Sequence, residues 1–304
     1  MRNPSIPRSK SNPIGQTKRI LRTRRAMFRD INTARDLTLQ AVAAWPFVVQ
    51  NRTEGLKVNA FYEFLVDVTQ ITRLLQIIQQ TIANGGGSIE IQEAVRGSYR
   101  EGVARAVDNL AGLDTSYPRS SLMRLGEQQV LRRATLVGSR AFEQMKGFSH
   151  DTAADLSRVL FEAIQNGETP RSVARRIRKR FAVSKVRAER IARTEITMAQ
   201  RRARWDEARD AEEKFGIKTK ILHNSAMIPG RTRRSHAIRH GRLYTREEEA
   251  LWYTINGNAI NCLCSQTEVT VDKNGDPLFG DKLMERMVKQ RDAFLKSSIT
   301  SGDT

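Results

Sequence analysis

Residues 58–82 carry the strongest periodicity in the chain. Val58, Phe61, Leu65, Val68, Leu75, Ile78 and Ile82 recur at helical spacing, and Phe64, Ile71, Leu74 and Ile77 widen the stripe. A helix apolar over so much of its circumference must be covered on more than one side, by its own core or by another subunit. The chain is therefore expected to pack helices on helices. Further helical spacing runs from Lys18 to about Ala44, ended by Pro46. After the break at Asn84-Gly-Gly-Gly87, Ser88 is placed to cap a helix carrying Ile91, Val95, Tyr99, Val103 and Leu110. A turn at Tyr117-Pro118 precedes a helix through Leu122, Leu125, Val130, Ala134, Val137, Ala141 and Phe142.

From residue 149 the punctuation is denser. Ser149 is read as the cap of one helix, with Asp151 in its first turn and Asn166-Gly167 at its end. Thr169-Pro170 starts a short helix that closes at Phe181, the proline standing at the first helical position. Ser184 then caps a long helix from Lys185 to about Phe215, stopped by Gly216. Beyond it the character changes. Thr219–Leu222 and Glu268–Asp272 are β-prone, Thr245–Trp252 holds a helical turn, and Lys273-Asn-Gly-Asp276 reads as a tight turn. A last amphipathic helix spans Asp281–Leu295. The expected fold is mainly α: an N-terminal helical bundle with long helices, plus a small C-terminal α+β unit. Four segments follow: a disordered basic arm (1–17), a helical region (18–147), a third segment (148–275), and a C-terminal helix and tail (276–304).

Charge constrains partners more than fold. Among 304 residues there are 52 Lys and Arg against 33 Asp and Glu, a formal net charge of +19. Such an excess fits a polyanion, with double-stranded DNA the first candidate, bound without sequence preference. No acid precedes Asp30, whereas Lys18, Arg19, Arg22, Arg24 and Arg25 all do. A second basic cluster comprises Arg175, Arg176, Arg178, Lys179, Arg180, Lys185, Arg187 and Arg190 around Phe181. These residues are the expected phosphate contacts, weighed against a merely solvated basic face. Few aromatics lie nearby, so stacking on single strands is not suggested. No secretory signal and no run long enough to span a membrane is present, so a soluble chain made in a cytoplasm is expected and no membrane partner.

The residues that can carry chemistry fall in three blocks. The first is Glu189-Arg-Ile-Ala-Arg-Thr-Glu-Ile196, in which Arg193 and Glu195 point to different helix faces and each is expected to reach another segment. The second is Pro229-Gly-Arg-Thr-Arg-Arg-Ser-His236, followed by His240-Gly241, and the third is Ile260-Asn-Cys-Leu-Cys264. His236, His240, Cys262 and Cys264 are four donors suited to zinc. Against zinc, Cys-x-Cys is tighter than the usual structural spacing, and the His-x-x-x-His lacks the glutamate of the metalloprotease helix. The expectation is small buried cysteines with no metal and no cofactor. A non-specific DNA-binding protein, or a nuclease built on His236 and His240 with His223, Arg233 and Glu195, is the alternative function. No acidic cluster resembles a two-metal site, so no enzyme is expected.

In this order and spacing the three blocks resemble the Mu-F-like family of phage head morphogenesis proteins, over roughly residues 150–275. The residues matching its motifs are Arg193, Thr194, Glu195, Arg231, Thr232, Arg233, His236, Gly241, Asn261, Cys262 and Cys264, read as structural. Gly230 stands where the family commonly has Asp, and Leu263 where it commonly has Arg. The resemblance implies a minor head protein of a tailed phage or prophage. Such a protein acts in procapsid assembly near the portal, meets portal, major capsid or scaffold protein, lies in the head interior with the DNA, and in some cases leaves with it.

Overall fold

A computed structural model describes residues 2–7, 9, 11–54, 57–117 and 120–300, with only the backbone at 52–54, 57, 58 and 298–300. The fold is mainly α, with a small α+β region after Gly216. The elements, in order, are α1 (Thr17–Ala44), β1 (Phe47–Glu54), β2 (Lys57–Phe64), α2 (Val68–Ala83) and α3 (Gly86–Leu113). There follow α4 (Ser121–Gly126), α5 (Gln128–Gln165) and α6 (Pro170–Phe215). The last part holds β3 (Thr219–Asn224), α7 (Arg234–Ile238), β4 (Leu243–Tyr244), α8 (Arg246–Thr254), β5 (Ser265–Thr270) and α9 (Asp281–Thr300).

Two compact units are present, each discontinuous in the chain. One gathers Met1–Ile20, Ala94–Gly138 and Arg193–Thr304; the other gathers Leu21–Glu93 and Ser139–Ala192. The divisions fall inside α1, α3, α5 and α6, so the units do not follow the segment boundaries expected at 17, 147 and 275.

In the second unit the expected helix over 58–82 is corrected. Its first third is strand: β1 and β2 pair antiparallel with Phe47 opposite Phe64 and Val49 opposite Tyr62. Phe47 meets the rings of Tyr62 and Phe64 at 5.5 and 5.9 Å, the kind of cross-strand aromatic packing that stabilises a hairpin. The β-branched and aromatic residues that resembled a broad helical stripe are strand formers, and of those in β2 Phe64 is buried and Phe61 and Tyr62 partly so. The Tyr62 N–H donates to the Gly167 carbonyl at 3.0 Å, and a Cβ on Gly167, at φ +58°, would fall 2.2 Å from the Phe61 ring. Helix α2 begins only at Val68, behind a capping box in which Asp67 and Gln70 satisfy each other's backbone N–H groups. It buries Ile71, Leu74, Ile78 and Ile82, while Leu65 and Val68 are exposed.

Two expected helix boundaries are also absent. Helix α5 runs through Ser149, whose hydroxyl donates back to the Lys146 carbonyl at 2.8 Å. Helix α6 runs through Ser184, which donates to the Arg180 carbonyl at 3.3 Å. Both serines act inside a helix by bonding the preceding turn rather than as caps. The start at Thr169-Pro170 holds, with the Thr169 hydroxyl accepting from the Ser172 N–H at 3.2 Å. Gly216, at φ +68°, ends α6. Ser88 lies inside α3 and donates to the Ile82 carbonyl at 3.0 Å. The turn expected at Pro118 lies outside the described residues.

The first unit contains the sheet, ordered β4-β3-β5 and antiparallel throughout. Strand β5 is buried along its whole length, so its polar residues need partners. Glu268 pairs with Arg204 at 2.7 Å, and Asn109 donates to its backbone carbonyl at 2.7 Å. Helices α3 and α6 approach closely here: Ser98 donates to the Ile196 carbonyl at 2.7 Å and Tyr99 to Asp206 at 2.6 Å. Arg124 and Arg133 neutralise the buried Glu207 and Asp210. Of the arm 1–17, the described part lies against this unit, with Ile14 buried, the Ser5 N–H bonded to Asn109, and Ile6 packed against the cluster that holds Leu222, Val269 and Met287. Arg8 and Lys10 lie outside the described residues. Among the described residues no helix is long and apolar enough to cross a membrane.

Candidate functional site

The site lies within the first unit and is built from three segments: α6, the 225–238 stretch leading into α7, and the loop 255–264. Residues 228–232 form a tight turn in which the Ile228 N–H donates to the Thr232 hydroxyl and the Thr232 N–H to the Ile228 carbonyl, both at 2.9 Å. This turn aims Arg233 outward. Its guanidinium spans the facing loop, donating to the Gly257 and Asn258 carbonyls at 2.9 and 2.8 Å. The loop needs such a clamp because Asn256, Gly257 and Asn261 all have left-handed backbone, at φ +51°, +63° and +58°.

The helix supplies the second clamp. The Asn261 N–H donates to the Thr194 hydroxyl at 3.0 Å, and Arg193 donates to the Asn261 side-chain carbonyl. Arg193 thus reaches across to another segment, as expected, where it meets an amide. Glu195 is half-buried on the same helix. The turn after Asn261 sends Cys262 and Cys264 inward, and both are buried.

There they meet His236. Its Nδ1 lies 3.4 Å from Cys262 Sγ and 3.6 Å from Cys264 Sγ. The imidazole is held edge-on to Trp252 at 4.7 Å, and its Nε2 is buried without a hydrogen-bond partner. The thiols respond in opposite directions. Burial raises the Cys262 thiol, but the Cys264 thiol, Arg201 and His236 outweigh it and hold it well below the ordinary range. Contact with Cys262, then burial, pushes Cys264 well above it. Among the described residues these three are the group whose donor atoms all fall within 4.8 Å of one another.

His240, the fourth expected donor, is placed elsewhere. Its Nδ1 accepts from the Ser225 N–H at 3.1 Å, and its Nε2 lies 3.3 Å from Gln290. Although His236 and His240 are four residues apart, α7 ends at Ile238, so the two rings do not share a helical face. His223 is likewise withdrawn, bonded to Glu249 at 3.0 Å. His223 and His236 both pack against Trp252, whereas His240 is bonded to Ser225 and Gln290.

A residue that sequence reasoning missed sits beneath the cysteines. Arg201 is fully buried and donates to the Cys264 carbonyl at 3.1 and 2.8 Å and to the Cys262 carbonyl at 3.1 Å. Its guanidinium also covers the Tyr253 ring at 4.5 Å. It follows Thr194 by two helical turns and so shares its face. That spacing was the available signal.

The motif residues enclose a cleft of about 200 Å³, lined by Arg231, Thr232, Arg233, His236, Asn261, Cys262 and Cys264 together with Ala226, Ile228, Ile260 and Leu263. Gly241, outside the cleft at φ +72°, allows α9 to pass, since a Cβ there would lie 2.7 Å from that of Met287.

The expected phosphate contacts divide into two classes. Arg176 is paired with Glu162 and Glu168, Arg180 with Asp155, and Arg187 with Asp151. Arg24 pairs with Glu189 at 3.4 Å, Arg22 with Glu90 at 2.9 Å and Arg19 with Glu101 at 2.7 Å, while Lys185 covers the Phe28 ring. Lys18, Arg25, Arg175, Arg178 and Lys179 are exposed. The basic cluster is thus partly neutralised by acids of α5 and of the loop before α6.

Comparison with known families supports the motif reading. The model of the family described as Phage Mu protein F like protein matches residues 154–267, which contain every segment of the cleft. No curated protein and no solved structure matches the chain.

Proposed function

We propose that this chain is a minor head protein of a tailed phage or prophage, acting in procapsid assembly near the portal and contacting packaged DNA. The observation that carries the reading is the closure of the matched stretch upon itself. Arg193 and Thr194 hold Asn261, Arg233 holds the same loop, and His236 meets Cys262 and Cys264. Spacing alone could arise by chance; motifs that meet in space form one built feature. Its contacts are mostly structural clamps, which suits an assembly protein that offers a fixed surface.

The DNA contact rests on charge. A net charge of +19 leaves a large excess after internal pairing, and Arg175, Arg178 and Lys179 present it on the exposed face of α6. Binding through phosphates alone is independent of sequence and strongly salt-dependent. Portal, major capsid or scaffold protein would be the protein partners, and the head interior the final location.

The test is quantitative mass spectrometry of purified virions, before and after DNA release. A few copies per full head are expected. Loss on release would add ejection with the genome, whereas retention would make the protein a fixed head component. Absence from both, and from procapsids, would overturn the reading.

A further inference from the structure

We infer that His236, Cys262 and Cys264 bind a zinc ion, with the fourth coordination position facing the cleft. The donor geometry carries the inference. Zinc bonds of about 2.3 Å to sulfur and 2.0–2.1 Å to nitrogen, at the tetrahedral angle, set the nitrogen–sulfur edge at about 3.6 Å. The two edges here are 3.4 and 3.6 Å. An S–H···N hydrogen bond can account for one such contact. One imidazole nitrogen facing two sulfurs at that separation is the arrangement of a shared cation.

The frame around the donors points the same way. All three are buried, and all three line the cleft. The loop bearing the cysteines is fixed from both sides, by Thr194 on Asn261 and by Arg201 on the carbonyls of Cys262 and Cys264. Trp252 fixes the His236 ring. Donors held by rigid second partners bind a metal without the cost of ordering them. Thiolate and imidazole in a tetrahedral set select zinc among the common divalent ions. Binding holds both sulfurs as thiolates, whose two charges offset those of the dication, while the Arg201 guanidinium stays on the Cys262 and Cys264 carbonyls. Three protein donors leave the fourth corner to a water or to a group entering the cleft, beside Arg231 and Arg233. A Cys262–Cys264 disulfide is the competing chemistry; a bridge across one residue departs from relaxed geometry.

The experiment uses the full chain, expressed with added zinc and purified without chelator, and it is independent of any role in a phage head. Elemental analysis is expected to give one zinc per chain. Titration with a mercurial should release it in step with two thiols, reported by a chromophoric chelator. Replacement by Co²⁺ should give sulfur-to-cobalt charge-transfer absorption together with the visible bands of a tetrahedral ion. Cys262→Ser, Cys264→Ser and His236→Gln should each lose the metal. Should those variants fail to fold, the mercurial release and the cobalt spectrum of the unaltered chain decide alone. Two freely titrating thiols with no zinc, zinc retained in the cysteine variants, or a Cys262–Cys264 disulfide detected by mass would each overturn the site.

Discussion

Glu249 shows how much one side chain can carry in this fold. Fully buried, it accepts from His223 at 3.0 Å, from Arg239 at 2.9 Å and from Gln266. Burial works to raise its carboxyl, yet His223 and Arg239 prevail and hold it below its ordinary 4.5. Because the folded value is the lower one, its contribution to stability is present above about pH 4.5 and is lost as pH falls through the depressed value. Glu249→Gln should therefore cost roughly 3–5 kcal/mol at pH 7, since it leaves Arg239 charged and unpaired. It should also flatten the acid limb of the stability curve. Urea unfolding at pH 7 and pH 4 measures both; a variant as stable as the parent at pH 7 would refute the assignment. Glu249 and Arg201 also mark where sequence reading stopped. Arg193, Thr194, Asn261 and Cys262 were legible because their spacing matched a pattern. Arg201 is one of 52 basic residues, and its seven-residue spacing from Thr194 gives its face of α6 but not its burial. Its role becomes visible only when the loop bearing Cys262 and Cys264 is laid over α6.

At the level of elements, helices were easier to find than to delimit. The start at Pro170 and the stop at Gly216 were legible because proline and glycine act on the backbone directly. Ser149 and Ser184 misled because a serine hydroxyl serves equally as a cap or as a bond to the preceding turn, and only packing decides. The β1–β2 hairpin was hidden because its aromatic residues also fit a helical period. The continuity of α6 is testable at exposed Ala182, between Phe181 and Ser184. Ala182→Pro should remove the bond to the Arg178 carbonyl and crowd it, at a cost of about 3 kcal/mol. A helix that ended at Phe181 would accept proline there with little loss. Denaturant midpoints of the two chains distinguish these outcomes.

Taken as a whole, the molecule divides its charge between internal pairing and display, and the two can be separated. Reversing Arg175, Arg178 and Lys179 to Glu should weaken DNA binding and reduce the slope of log K against log salt by about 0.9 for each phosphate no longer neutralised. Reversing Arg176 and Arg180 should act mainly on stability, because Glu162, Glu168 and Asp155 would then face like charges. Equal effects of the two sets on the salt slope would show that pairing does not withdraw an arginine from DNA.

The discontinuity of the first unit also bears on synthesis. Ile6 packs against the cluster that includes Val269, 263 residues further along the chain. At roughly 5–20 residues per second, the beginning of the chain waits about 13–50 s on the ribosome for that partner to emerge. A nascent chain halted before β5 leaves Ile6 without the surface it covers, so this unit closes only after β5 has left the ribosome.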